Sequence, residues 1–89
     1  MSTAEARALP VVDAIERDGE ELVLIGDRVV LVSPLGRLIR AAVAEGWVRV
    51  DALVPALVRE LGAPVAVDPD EVVAAAVAEL ATAGLVEVR

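Results

Sequence analysis

The stretch Leu22-Val23-Leu24-Ile25-Gly26-Asp27-Arg28-Val29-Val30-Leu31-Val32-Ser33-Pro34 decides the fold. Two runs of branched apolar residues flank Gly26-Asp27 and Arg28, and Gly-Asp between such runs is a hairpin signal because glycine supplies the positive φ that a tight turn requires. With Gly26 and Asp27 as the loop, Leu24 faces Val29, Val23 faces Val30 and Leu22 faces Leu31. Both faces of the ribbon are then apolar. An antiparallel sheet at a surface normally alternates apolar with polar residues and keeps one face wet. Here the second face, the free edge, or both require a cover.

Working upstream, residues 10–15 mix apolar and polar side chains as a first strand that ends at the turn-like Arg17-Asp18-Gly19, and residues 1–9 read as a flexible N-terminus. Downstream, Ser33 is an N-cap and Pro34 a first helical residue, while Gly46 closes the segment as a C′ position. Between them Leu35, Leu38, Ile39, Ala42 and Val43 make one apolar stripe, with Arg37 and Arg40 facing away. After Trp47-Val48-Arg49, Val50 reads as N′ and Asp51 as N-cap of a helix through Leu53, Val54, Leu57, Val58 and Leu61 to Gly62. Pro55 lies near its first turn, where a missing N–H costs least, or else delays the helix start by a few residues.

Residues 63–67 connect to Asp68-Pro69-Asp70-Glu71, an N-cap, a proline at N1 and an acid at N3, which is the strongest helix start in the chain. That helix carries Val72, Val73, Ala76, Val77 and Leu80 and stops near Gly84, leaving Leu85-Val86-Glu87-Val88 as a terminal strand. The expected class is α+β: an N-terminal antiparallel hairpin or three-stranded sheet, a three-helix bundle like a winged helix-turn-helix, and a short C-terminal strand. At 89 residues the chain supports one core, so residues 10–89 form a single domain.

Composition bounds the function. The chain is 57% hydrophobic but only 1% aromatic, so its core is aliphatic and Trp47 is its one large ring. It has no Cys, which excludes disulfides and thiolate metal sites and fits a reducing compartment, the cytoplasm. No apolar run is long enough to cross a bilayer and residues 1–9 lack a signal-like apolar segment. His, Lys, Tyr, Asn and Gln are also missing, and Ser2, Ser33, Thr3 and Thr82 therefore have no basic partner to activate them. A non-catalytic module with no cofactor follows. A net charge of −7, with the cations all arginines spread singly, argues against nucleic acid; Asp70, Glu71 and Glu79 on the third helix do so again.

Four features carry a sharper reading beside a plainer one. Asp68, Asp70 and Glu71 are spaced to hold a hard cation, but helix capping explains the proline and the apolar stripe as well. Asp13, Glu16, Asp18, Glu20 and Glu21 can attract a basic segment, although a solvated turn is the commoner meaning. Trp47 is either an interface anchor or a ring partly buried against the second helix, the second being more usual. The two-faced hairpin fits either a homodimer that buries its second face or addition of an extended peptide to the edge of the third strand.

The order of elements over nearly the whole chain resembles the PqqD-like proteins, the precursor-peptide recognition elements of ribosomally made, modified peptides. The matching stretches are the apolar hairpin of residues 21–32 running directly into the helix of residues 33–44, the connection Glu45-Gly46-Trp47-Val48-Arg49-Val50-Asp51-Ala52-Leu53, and the closing Glu79-Leu80-Ala81-Thr82-Ala83-Gly84-Leu85-Val86. The resemblance implies capture of a precursor's leader segment at the edge of the third strand and against the third helix. By position, that places the peptide on Arg28, Val29, Val30, Leu31 and Val32, with Val72, Val73, Ala76 and Leu80 as the helical wall.

It also implies a second partner, a peptide-modifying enzyme such as a radical-type or ATP-dependent maturase or a leader protease, to which the peptide is delivered. The chain departs from the version associated with pyrroloquinoline quinone synthesis, where an asparagine often stands in place of Ser33-Pro34. Recognition proteins of other peptide pathways, such as lasso-peptide or radical-modified peptide clusters, are resembled at least as well. The reading from another class is an acidic winged-helix interaction or regulatory subunit, dimeric or not.

Overall fold

A computed structural model of the chain describes residues 4–64 and 66–89. It is α+β, with six strands in two antiparallel sheets and three helices in the order β1 (Glu5–Ala8), β2 (Asp13–Arg17), β3 (Glu20–Ile25), β4 (Arg28–Val32), α1 (Pro34–Ala42), β5 (Val48–Arg49), α2 (Val50–Leu61), α3 (Pro69–Thr82) and β6 (Val86–Val88). One sheet runs β2-β3-β4 and the other β5-β1-β6.

The hairpin has the expected register: Leu24 pairs with Val29, Val23 with Val30 and Leu22 with Leu31. Gly26 takes φ +59 while Asp27 does not turn positive, the pattern of a type II′ turn. The preceding turn, Asp18-Gly19, has φ of 55 and 83, which is the type I′ pattern. That turn sets the position of β2: its pairing starts at Arg17–Glu20 and reaches back to Asp13–Leu24. The strand is therefore Asp13–Arg17 rather than the expected residues 10–15. Pro10 has no N–H to give a ladder, and beyond it Val12 donates to the Leu24 carbonyl at 2.8 Å as a bulge at the start of the strand.

The expected flexible N-terminus at residues 1–9 contains a strand instead. β1 is the middle strand of its sheet, with Ala6 opposite Val48 on one side and Val88 on the other. Ala6 is fully buried, and Glu5 and Arg7 alternate with it to reach cross-strand ion partners, Arg89 and Glu87. Residues 1–3 lie outside the described residues.

α1 starts as expected, with the Ser33 hydroxyl accepting the Gly36 N–H at 3.1 Å. It ends at Ala42, with Val43 as C-cap, short of the expected Gly46. The Val43 carbonyl accepts the Ala8 N–H at 3.1 Å, so β1 satisfies an end that a further helical turn would otherwise use. Arg37 and Arg40 do not face away. Arg37 Nε donates to the Gly19 carbonyl at 3.1 Å and Arg40 pairs with Glu21, so two arginines pin α1 to the β2–β3 ribbon. Glu21 is thus a partly buried ion partner, not part of a solvated turn.

α2 begins one residue before the expected N-cap. Asp51 lies inside the first turn, and Arg49 is the cap, with no side-chain cap hydrogen bond. The Val50 N–H, one of the first-turn donors that have no partner within a helix, is satisfied by the Ala4 carbonyl at 2.9 Å. Asp51 still suits the positive end of the helix. Pro55 is accommodated within α2 and does not delay it.

α3 begins at Pro69, with Asp68 Oδ1 accepting the Asp70 N–H at 2.9 Å. It closes on Gly84 at φ +83: Gly84 N–H donates to Ala81 and Leu85 N–H to Leu80 at 2.9 Å, a Schellman motif. Asp68→Ala is expected to cost about 1 kcal/mol, read as a lower urea midpoint at unchanged slope, and Asp68→Asn should recover most of it. If both variants match the parent, the cap contributes nothing.

The core is aliphatic. Its largest fully buried side chains are Ile39, Leu85, Val23, Val43 and Val86, and no polar or charged residue is buried among those described. Trp47, expected against the second helix, is half-buried with the Arg89 and Arg7 guanidinium carbons 4.1 and 4.8 Å from its ring centre, cation–π contacts that close over the β5-β1-β6 sheet. No helix among the described residues is long and apolar enough to cross a membrane.

Candidate functional site

The expected third strand is β4, and it is an edge strand. In a two-residue hairpin the residues flanking the loop exchange hydrogen bonds, and along the strand such pairs alternate with pairs whose polar groups point outward. Ile25 and Arg28 flank this loop. Arg28, Val30 and Val32 therefore bond back to β3, whereas Val29 and Leu31 turn their N–H and C=O groups to the open edge. Those two residues are the available rungs for an added strand.

Side chains follow the same alternation. Val30 and Val32 lie on the inner face with Val23, and Val32 is 3% exposed; Val29 and Leu31 lie on the outer face.

Beside the edge runs a groove of about 160 Å³. Val30, Leu31 and Val32 line it from β4, and Ala76, Glu79 and Leu80 from α3, with Gly36 and Leu85 completing the wall. Gly36 permits the approach of α1 to this site: a Cβ there would lie 2.8 Å from Val32 Cγ1 and 3.4 Å from Leu80 Cδ2. Arg28 Nη2 donates to the Ala83 carbonyl at 3.0 Å, tying the start of β4 to the end of α3 and fixing the width of the groove there. Among the described residues, Glu79 is the only charged one lining it.

The expected site residues thus divide. Val30, Leu31, Val32, Ala76 and Leu80 come together around the groove, Val29 contributes its backbone to the edge, and Arg28 braces one end. Val72 and Val73 are elsewhere. They line a second, mostly apolar cavity of about 260 Å³ between α2 and α3, with Leu35, Leu57 and Leu61. The α3 wall of the groove is the stripe Ala76, Glu79, Leu80 and Ala83, which follows helical spacing, while Val73, Val77 and Leu80 face the core.

Glu79, Ala83, Gly36, Ser33 and Leu85 were not anticipated as lining residues. The one sequence signal for any of them is Gly36, a glycine placed in the first turn of a helix where it lowers helix propensity. Asp68 acts as a helix cap, and among the described residues no group of three or more carboxylates is gathered to hold a metal.

Comparison of the chain with protein-family models, with curated proteins and with solved structures finds no match.

Proposed function

We propose that the protein is a non-catalytic carrier that captures the leader segment of a ribosomally made precursor peptide and delivers it to a peptide-modifying enzyme in the cytoplasm. The leader adds as a strand to β4 and lays alternate side chains into the groove against α3, in the manner of the PqqD-like recognition elements, with α1–α3 and the β5-β1-β6 sheet as a winged-helix-type support. The observation that carries this reading is the open edge of β4 directly beside a groove lined by Val30, Val32, Ala76, Leu80 and Glu79. Backbone pairing at such an edge provides affinity with little dependence on sequence, and the neighbouring pockets provide selectivity.

The groove's chemistry narrows the peptide. Side chains that point inward from an added strand meet Val30, Val32, Ala76 and Leu80, so small or branched apolar residues at alternate positions fit there, and a basic residue fits opposite Glu79. A backbone amide titration of the labelled protein with synthetic leader segments, drawn from short precursor peptides encoded beside its gene, tests the placement. Shifts should centre on Val29, Leu31, Ala76, Glu79 and Ala83, and the Val29 and Leu31 amides should gain protection from exchange. Shifts centred on β6, or on the cavity at Leu57 and Val72, would remove this reading.

A further inference from the structure

No described residue covers the outer face of the β2-β3-β4 sheet. Ile15, Leu22 and Leu31 stand in one row across the three strands and are 63%, 45% and 61% exposed, and Val29 beside them is 66% exposed. A contiguous apolar patch of this kind on a small protein marks a contact surface. β2 adds a charge pattern to it. Alternation puts Asp13, Ile15 and Arg17 on this same face, reading negative, apolar, positive along the strand. Among the described residues neither charge makes an ion pair: Asp13 accepts its neighbour's N–H, from Ala14 at 2.8 Å, and Arg17, with Glu20 opposite it on the same face, is in no salt bridge.

A sequence of minus, apolar, plus is its own complement when reversed. We propose that this face binds a second copy of the chain, face to face, about a two-fold axis that runs across the strands through Ile15, Leu22 and Leu31. That operation lays each strand over its own counterpart in the opposite direction, so Ile15 meets Ile15, Leu22 meets Leu22, and Asp13 of each copy meets Arg17 of the other. The contact is isologous and closes after two subunits.

Edge-to-edge pairing of β2 would bring the same charges together, but the edge is defended. The Ala14 N–H, one of the groups that would have to pair, is already held by Asp13, and carboxylates near edges discourage such pairing. The face-to-face contact leaves the β4 edge unpaired, with Leu31 shared between this face and the groove.

Three strands of this length present a footprint of about 240 Å² per copy, small beside the roughly 800 Å² per partner of a typical stable complex, and the net charge of −7 adds long-range repulsion. The dimer is consequently weak and concentration-dependent, with dissociation on the order of hundreds of micromolar to millimolar.

Sedimentation equilibrium of the full chain across that range, with circular dichroism confirming that each variant is folded, provides the test. All five residues of β2 are exposed, so charge changes there leave the core untouched. The parent chain should show a monomer–dimer equilibrium. Asp13→Arg alone and Arg17→Asp alone should each weaken it about tenfold, because symmetry turns two attractive contacts into two repulsive ones. An equimolar mixture of those two variants should associate at least as tightly as the parent, since every contact then joins an arginine to an aspartate. Leu22→Lys, on the middle strand, should abolish association.

A parent chain that stays monomeric throughout would overturn the proposal. So would a dimer that tolerates Leu22→Lys, which would point to the strand edge, or a mixture that fails to recover, which would remove the two-fold pairing.

Discussion

Leu31→Pro is expected to lower affinity for the leader peptide by between about tenfold and a hundredfold while leaving the domain folded, whereas Val30→Pro, one residue away, unfolds the hairpin. The difference is one of parity. Leu31 turns its N–H to the open edge, so proline there removes a donor that only the incoming strand would use, and proline is tolerated in edge strands in just this orientation. Val30 turns its N–H to β3 opposite Val23, and proline there breaks a rung inside the sheet beside the fully buried Val23.

The magnitude follows from the bond that is lost. A typical hydrogen bond contributes about 1 kcal/mol net, and a carbonyl of the peptide left without a partner in the contact costs about 1–3 kcal/mol. Leu31→Ala separates backbone from side chain, because it keeps the N–H and shortens an outward-facing chain; it should bind within about threefold of the parent, less than the loss of one such bond. Isothermal titration with the same synthetic leader, alongside a thermal melt of each variant, reads both effects. Wild-type affinity in a folded Leu31→Pro protein would exclude strand addition at β4.

How much of this was legible in the sequence depends on whether the signal was local. The hairpin register could be read because a two-residue loop fixes which residues face each other, and glycine at position 26 marks that loop. The start of α3 could be read because Asp68 and Pro69 act on their own first turn. β1 could not. Ala6 and Ala8 alternate with Glu5 and Arg7, but alanine has little preference for strands, and the partners of β1 are β5 and β6, near the middle and the far end of the chain. The early end of α1 and the early start of α2 share a neighbour, since backbone groups of Ala8 and Ala4 pair with Val43 and Val50 at those two helix ends.

The candidate site divides along similar lines. Its strand half was legible because β4 alternates, and alternation assigns each residue a face. Its helix half was only partly legible because α3 is rich in valine and alanine around much of its circumference. Val72, Val73, Ala76, Val77 and Leu80 all qualify as apolar, and a stripe chosen by hydrophobicity alone does not distinguish a wall facing β4 from one facing α2. Only the packing resolves it: Leu80 reaches both the core and the groove, and Val72 and Val73 turn toward Leu57.

The residue that couples fold to site most strongly is Leu85, and Leu85→Ala is expected to remove about 3 kcal/mol of stability, within the usual range for truncating a fully buried leucine. Its side chain is 0% exposed, it lines the groove, and its backbone serves both neighbours: its N–H closes the Schellman turn on Leu80 at 2.9 Å and its carbonyl accepts the Leu9 N–H at 2.9 Å. Alanine keeps those backbone bonds, so the loss measures packing alone.

For a domain of this length, total stability of about 4–13 kcal/mol is usual, so the variant gives up between a quarter and most of it and should show a much lower urea midpoint at unchanged slope. Val88→Ala is the matched control. It lies three residues on in the same terminal segment, its side chain is 46% exposed, and it should stay within about 0.5 kcal/mol of the parent. Because the space vacated by Leu85 opens beneath the groove between β4 and α3, the truncated protein should also bind the leader more weakly at low temperature, where it is still folded, while Val88→Ala binds normally. If the two truncations prove equally mild, the end of α3 and β6 do not form the packed floor on which the groove depends.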